Sequence, residues 1–155
     1  MKSILTLENA LYFAGALHFA ILSASALTPV VMDWKSVLKP LPAFLRTLFW
    51  VYGVFIVLMI VSLGTMTLLH APEMARGAPV ARSLAGMTAV FWGARLTVQF
   101  FIFDARAYLT NGWLKLGYHL LTVVFIFLTL TYTLAALQPG FAFDFYTFHP
   151  CHQHP

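Results

Sequence analysis

Residues Trp50–Leu69 read WVYGVFIVLMIVSLGTMTLL, twenty positions without an Asp, Glu, Lys, Arg or His. A helix rises about 1.5 Å per residue, so a run of about 20 apolar residues matches the hydrocarbon thickness of a bilayer. The rest of the chain supports a membrane setting. Hydrophobic residues make up 61% of the 155 positions and charged residues only 9%. Soluble domains sit near 45–50% and about 25%, and so few charges would not cover a water-facing surface. The mean hydropathy of +0.83 agrees.

Working outward, three more stretches have the length and composition of a span. The expected spans are about 9–30, 44–69, 80–103 and 116–137. The fold class expected is all-α: a polytopic membrane protein built as a four-transmembrane-helix bundle over residues 1–138. An aromatic and His-rich tail follows over 139–155. The first stretch has a competing reading as a signal peptide, with Lys2, an apolar core over Ala10–Leu22 and the A-x-A-like Ala24-Ser25-Ala26. Glu8 just before that core speaks against cleavage. So does the export of Lys35, Lys39 and Arg46 that cleavage would require.

The connections carry nearly all the charge. Val31–Ala43 reads VMDWKSVLKPLPA. Trp34 between Asp33 and Lys35 reads as chain at headgroup level, and Pro40 and Pro42 break any helix entering the second span. HAPEMARGAP is turn-rich, with Pro72–Glu73 placed to open a short helical turn. DARAYLTNGWLK holds the turn pair Asn111–Gly112. Lys35, Lys39, Arg46, Arg106 and Lys115 fall on one side of a four-span topology, and Lys2, Arg76 and Arg82 on the other. Five against three places the first group in the cytoplasm and both termini outside. The pI of 9.5 reflects these scattered charges. It implies no nucleic-acid partner, because no basic run or basic helix face exists.

Polar and small residues inside the spans indicate which faces pack. Ala16, Ala20 and Ala24 recur every fourth residue in the first span, spacing that lets helices approach closely. His18 shares its side with Ala14 and Gly15. The second span lines up Gly53, Ile60, Gly64 and Thr67, and the fourth His119, Thr122, Thr129 and Thr133. In the third, Arg95 stands near the middle with Thr88, Trp92 and Gln99 on its face. A mid-span charge costs about 2.5–3.5 kcal/mol on insertion scales, so Arg95 is expected to face the bundle. Asp104, nine residues on, points the other way about 13 Å further along. Two roles fit Arg95: a bridge between helices, or a site for an anionic group such as a lipid phosphate, a carboxylate or a haem propionate.

His18, His70 and His119 are candidate haem ligands, although the assigned topology puts them at three different depths. The tail ends HPCHQHP, so that His149, Cys151, His152 and His154 offer thiolate and imidazole ligands suited to copper or zinc. Cys151 is the single cysteine, which excludes an intrachain disulfide. P-loop, GxSxG, HExxH and dinucleotide motifs are missing, and no carboxylate lies within a span.

The functional expectation is therefore a multi-pass protein of the bacterial inner membrane. It is read as a non-catalytic accessory, assembly or anchoring subunit, partnered by the bilayer and by other membrane proteins or copies of itself. Two alternatives stay open. One is a haem-, quinone- or lipid-binding protein whose internal pocket is lined by Arg95, Gln99, Trp92, His18 and His119. The other is a small transporter or channel subunit.

Overall fold

A computed structural model describes residues 6–31, 33–101 and 112–138. Among these it is all-helical: α1 Leu7–Val31, α2 Trp34–Val37, α3 Ala43–Ala75, α4 Pro79–Phe101 and α5 Gly112–Leu137. Three of the helices, α1, α3 and α5, are long and apolar enough to cross a membrane. Their length and composition are those of membrane-spanning helices. α4 has the length, at 23 residues, but Arg82, Arg95 and Gln99 make it less apolar.

The helix ends follow local chemistry. Thr6 Oγ1 accepts from the Asn9 backbone N–H at 3.3 Å, an N-cap on α1, and Glu8 in the first turn complements the helix dipole. α3 begins at Ala43, directly after the expected Pro42 break. It runs past the expected boundary at Leu69. α3 breaks at His70, whose φ −114° and ψ 16° are non-helical, and Pro72–Glu73 stand in the first turn of the short helical stretch that follows, as expected. Pro72 has no N–H for the Leu68 carbonyl, and its ring crowds that oxygen.

α3 then closes with a Schellman motif. The Ala78 N–H bonds to Glu73 O at 3.0 Å and the Gly77 N–H to Met74 O at 3.2 Å. Gly77 sits at φ 74°, where a side chain would be strained. Pro79 is the first residue of α4, where its missing N–H costs nothing. Only Arg76, Gly77 and Ala78 separate the two helices, so α3 and α4 run antiparallel.

Cross-helix contacts give the remaining directions. Gln99 meets Thr122 and Arg82 meets Ala136, which makes α4 and α5 antiparallel. His18 and Gly15 meet Gly64 and Leu68, and α1 and α3 are likewise antiparallel. The four long helices therefore alternate in direction. The closest pairs are α1 with α3 and α4 with α5. The shared core lies toward the α3–α4 turn, in Leu11, Ala14, Ile60, Ala71, Met74, Ala85, Trp92, Phe125, Leu128, Tyr132 and Ala135.

Toward the α2 end the core thins out. Of Ala43–Met59, every residue except Leu48 and Gly53 is exposed, as is Ser23–Leu27 of α1. Two expectations about faces change here. Ala16, Ala20 and Ala24 are exposed, and the close approach of α1 to α3 runs instead through Gly15 and Gly64. A Cβ on Gly64 would lie 2.8 Å from His18 Cβ. On α5 the buried line is Phe125, Leu128, Tyr132 and Ala135, and His119 is exposed. The threonines beside that line, Thr122, Thr129 and Thr133, each give their hydrogen to the carbonyl four residues back, and Thr122 also accepts from Gln99 of α4.

Candidate functional site

Two polar groups lie between the helices. The first is at the centre of the shared core. His18 is fully buried, with Nδ1 2.8 Å from Ala14 O. Trp92 Nε1 donates to His18 Nε2 at 3.0 Å. An indole N–H can only donate. His18 Nε2 must therefore accept, and Nδ1 carries the hydrogen given to Ala14 O. The arrangement selects one neutral tautomer.

Beside it, the Tyr132 hydroxyl lies 2.8 Å from Thr67 Oγ1. Thr67 gives its own hydrogen to Leu63 O at 2.8 Å, so Tyr132 is the donor to Thr67. The His18 ring meets the rings of Trp92 and Tyr132 edge-on, at 5.1 and 5.8 Å between centroids. These contacts link α1 to α4 and α3 to α5. They are the two helix pairs that make the fewest backbone approaches in the bundle, and long aromatic side chains span the gap.

The second group lies on the α4–α5 seam. Arg95 Nη1 donates to Gln99 Oε1 at 3.3 Å. Gln99 Nε2 donates to Thr122 Oγ1 at 3.0 Å, and the Tyr118 hydroxyl donates to Gln99 O at 3.3 Å. The Arg95 guanidinium also stands 5.1 Å above the Phe125 ring, an attractive cation–π placement. Phe125 in turn stacks on Trp92, with centroids 5.2 Å apart and planes at 26°. One continuous column therefore runs from His18 through Trp92 and Phe125 to Arg95.

Of the residues expected to line a common pocket, the structure brings together His18 and Trp92, and separately Arg95 and Gln99. His119 is far from the first group and meets the second only through Tyr118, whose ring it approaches edge-on at 5.7 Å between centroids. It lies thirteen residues before Tyr132 on α5, about 20 Å along the axis. Both His18 nitrogens are hydrogen-bonded, so an iron on His18 Nε2 would have to displace the Trp92 indole. His70 lies near the α3–α4 turn, with Nδ1 2.5 Å from Glu73 Oε2. Among the described residues no group of three or more His, Cys, Asp or Glu is placed to hold a metal ion. His149, Cys151, His152 and His154 lie outside the described residues.

Every buried side-chain N or O among the described residues has a hydrogen-bond partner. A groove of about 360 Å³ between the start of α1 and the second half of α5 is lined by Leu7, Ala10, Phe127 and Leu130 among others. It is apolar, and it lies away from the Arg95 group. Tyr132, Phe125 and Tyr118 are central to the two groups but do not stand out in the sequence. A lone tyrosine in an apolar run reads as a membrane-interface residue, and only its neighbour across the bundle reveals its role.

No family model, no characterised protein and no solved structure matches this chain at a significant level.

Proposed function

We propose that this chain is a non-catalytic subunit of a membrane complex, spanning a bacterial inner membrane four times and docking to its partner through α1. The observation that carries this reading is the exposed ridge Ala16, Ala20 and Ala24 with Ser23 and Ser25 beside it. In lipid no hydrophobic force drives helices together, and small residues mark surfaces where a neighbouring backbone comes close. The α1–α3 approach already uses Gly15 and Gly64. That leaves the alanine ridge for another protein or a second copy.

α4 is read as the fourth span. Its 23 residues extend about 35 Å, and its polar groups are engaged by α5. Arg82 Nε reaches Ala136 O at 3.2 Å, and Gln99 reaches Thr122. The topology that follows from the basic residues puts α2 on the cytoplasmic side and both termini outside.

The test is native electrophoresis of the tagged chain extracted from its own membranes in mild detergent. A complex larger than the monomer is expected. It should be lost in Ala16→Leu/Ala20→Leu/Ala24→Leu and kept in Met87→Leu, a change at an exposed α4 position. A parent chain that is monomeric, or a complex indifferent to the triple variant, overturns the reading.

A further inference from the structure

The α2 end carries a surface that the docking reading does not use. Trp34 of α2 packs edge-on against Phe49 and Trp50 of α3, with centroids 5.0 and 6.2 Å away. Phe49 and Trp50 also meet each other edge-on at 6.2 Å. Three aromatic rings are thus fixed together where α2 joins the start of α3. Tryptophan favours the glycerol and headgroup level of a bilayer, so this trio sets the depth of that end.

Arg46 lies three and four residues before Phe49 and Trp50, on the same face of α3. It is therefore about 5–6 Å further toward water, the direction of the lipid phosphates. Lys35 directly follows Trp34, and Lys39 follows the end of α2. All three basic residues are exposed. The single salt bridge among the described residues is His70–Glu73, at the opposite end. One acid, Asp33, accompanies the three bases in this stretch. It begins α2 in a left-handed backbone conformation and makes no ion pair with any of them.

We propose that Lys35, Lys39 and Arg46, held at a fixed depth by the Trp34–Phe49–Trp50 cluster, form a binding surface for anionic phospholipid headgroups. The argument is charge complementarity at a defined depth. Each cation near an anionic leaflet adds attraction, and three on one rim act on the same headgroup layer. The aromatic cluster removes the freedom of α2 to swing away, so the cations need not be reordered on binding.

The experiment is reconstitution of the full chain into nanodiscs of phosphatidylcholine mixed with phosphatidylglycerol. Retained lipid is quantified by mass spectrometry after exchange into detergent at low salt. The parent chain is expected to retain phosphatidylglycerol over phosphatidylcholine. Lys35→Gln/Lys39→Gln/Arg46→Gln should reduce that preference by up to roughly a hundredfold, as three lost attractions of about 1 kcal/mol each imply. Arg76→Gln/Arg82→Gln at the opposite end should leave it intact. Trp34→Leu should weaken the preference while all three charges remain. No selectivity in the parent chain overturns the proposal. So does equal loss in both charge variants, or competition by inorganic phosphate as effective as by the lipid. The native-gel result on the alanine ridge is independent of this outcome.

Discussion

Gly64→Ala should push α1 away from α3 and disturb the hydrogen bond that His18 accepts from Trp92. A Cβ at Gly64 would stand 2.8 Å from His18 Cβ, 3.2 Å from Phe19 Cε2 and 3.3 Å from His18 Cγ. Carbon atoms rest near 3.5–4.0 Å, so α1 and α3 must part by nearly 1 Å. His18 Cβ is attached directly to the backbone and cannot turn aside. Overpacking of this kind costs about 1–3 kcal/mol. Moving His18 also stretches the 3.0 Å bond from Trp92 toward the limit of a hydrogen bond, adding about 0.6 kcal/mol by the average for membrane interiors. The better helix propensity of alanine returns up to about 1 kcal/mol. The net expectation is a loss of about 1–3 kcal/mol.

Two other glycines serve as controls. At Gly15 the new Cβ would meet Leu68 Cδ2 and Cγ, at 2.7 and 2.8 Å. Both atoms move with a change of Leu68 rotamer, at about 0.5–1.5 kcal/mol, close to the propensity gain, and the Gly64 carbonyl oxygen at 3.4 Å is near ordinary contact distance. At Gly53 nothing lies within 4 Å, and Gly53→Ala should be neutral or up to about 1 kcal/mol more stable. The assay is SDS titration of the protein in mixed micelles, followed by helical circular dichroism. Gly64→Ala should unfold first, Gly15→Ala near the parent and Gly53→Ala last. A Gly64→Ala variant as stable as Gly15→Ala would refute the claim that this contact sets the α1–α3 distance.

The same titration checks the central hydrogen bonds. Trp92→Phe leaves the buried His18 Nε2 without a donor and should cost about 1–3 kcal/mol, with a further cost for the lost indole volume. Tyr132→Phe leaves Thr67 bonded to Leu63 O and should cost about 0.5–1.5 kcal/mol; a larger loss for Tyr132→Phe than for Trp92→Phe would contradict the assigned donors. Arg95→Met should insert and fold, because the methionine stem keeps its contact with Phe125 and a charge costing about 2.5–3.5 kcal/mol at mid-span is removed. Misfolding of that variant, seen by size exclusion, would make Arg95 a structural requirement and remove any ligand role for it.

The apolar runs of α1, α3 and α5 are legible from composition alone, and so are the break at Pro42 and the turn around Gly77. The register of the bundle is not. In a water-soluble helix a polar face reveals the buried one. Here both faces of α1 and α3 are apolar, and periodicity carries little information. Spacing therefore favours Ala16, Ala20 and Ala24 as the packed ridge, while the structure packs Gly15 one position away. Polar residues in an apolar run remain informative, since each must be satisfied internally. His18, Trp92 and Gln99 are identified on that ground and are indeed buried. Their pairing was not legible, because Trp92 belongs with His18 across the bundle and Gln99 with Thr122 on the neighbouring helix.

The two polar groups differ in what they can contribute to specificity. Gly15 and Gly64 join α1 to α3, and Gln99 with Thr122 joins α4 to α5. Each pair could form this way, tied to the other only at one end by the three-residue α3–α4 turn. The His18–Trp92 and Thr67–Tyr132 bonds cross between the hairpins, from α1 to α4 and from α3 to α5, and the two bonds meet where the His18 and Tyr132 rings touch. Sliding one hairpin by a single helical turn, about 5.4 Å, breaks both bonds at once. It also strands the Trp92 N–H and the Tyr132 O–H among hydrocarbon, where neither has water to turn to. A register error is therefore penalised twice at one level of the bundle. This group is closed and satisfied, and it functions as a lock on assembly. The two surfaces proposed above for outside partners, the alanine ridge of α1 and the basic rim around α2, are separate from this lock.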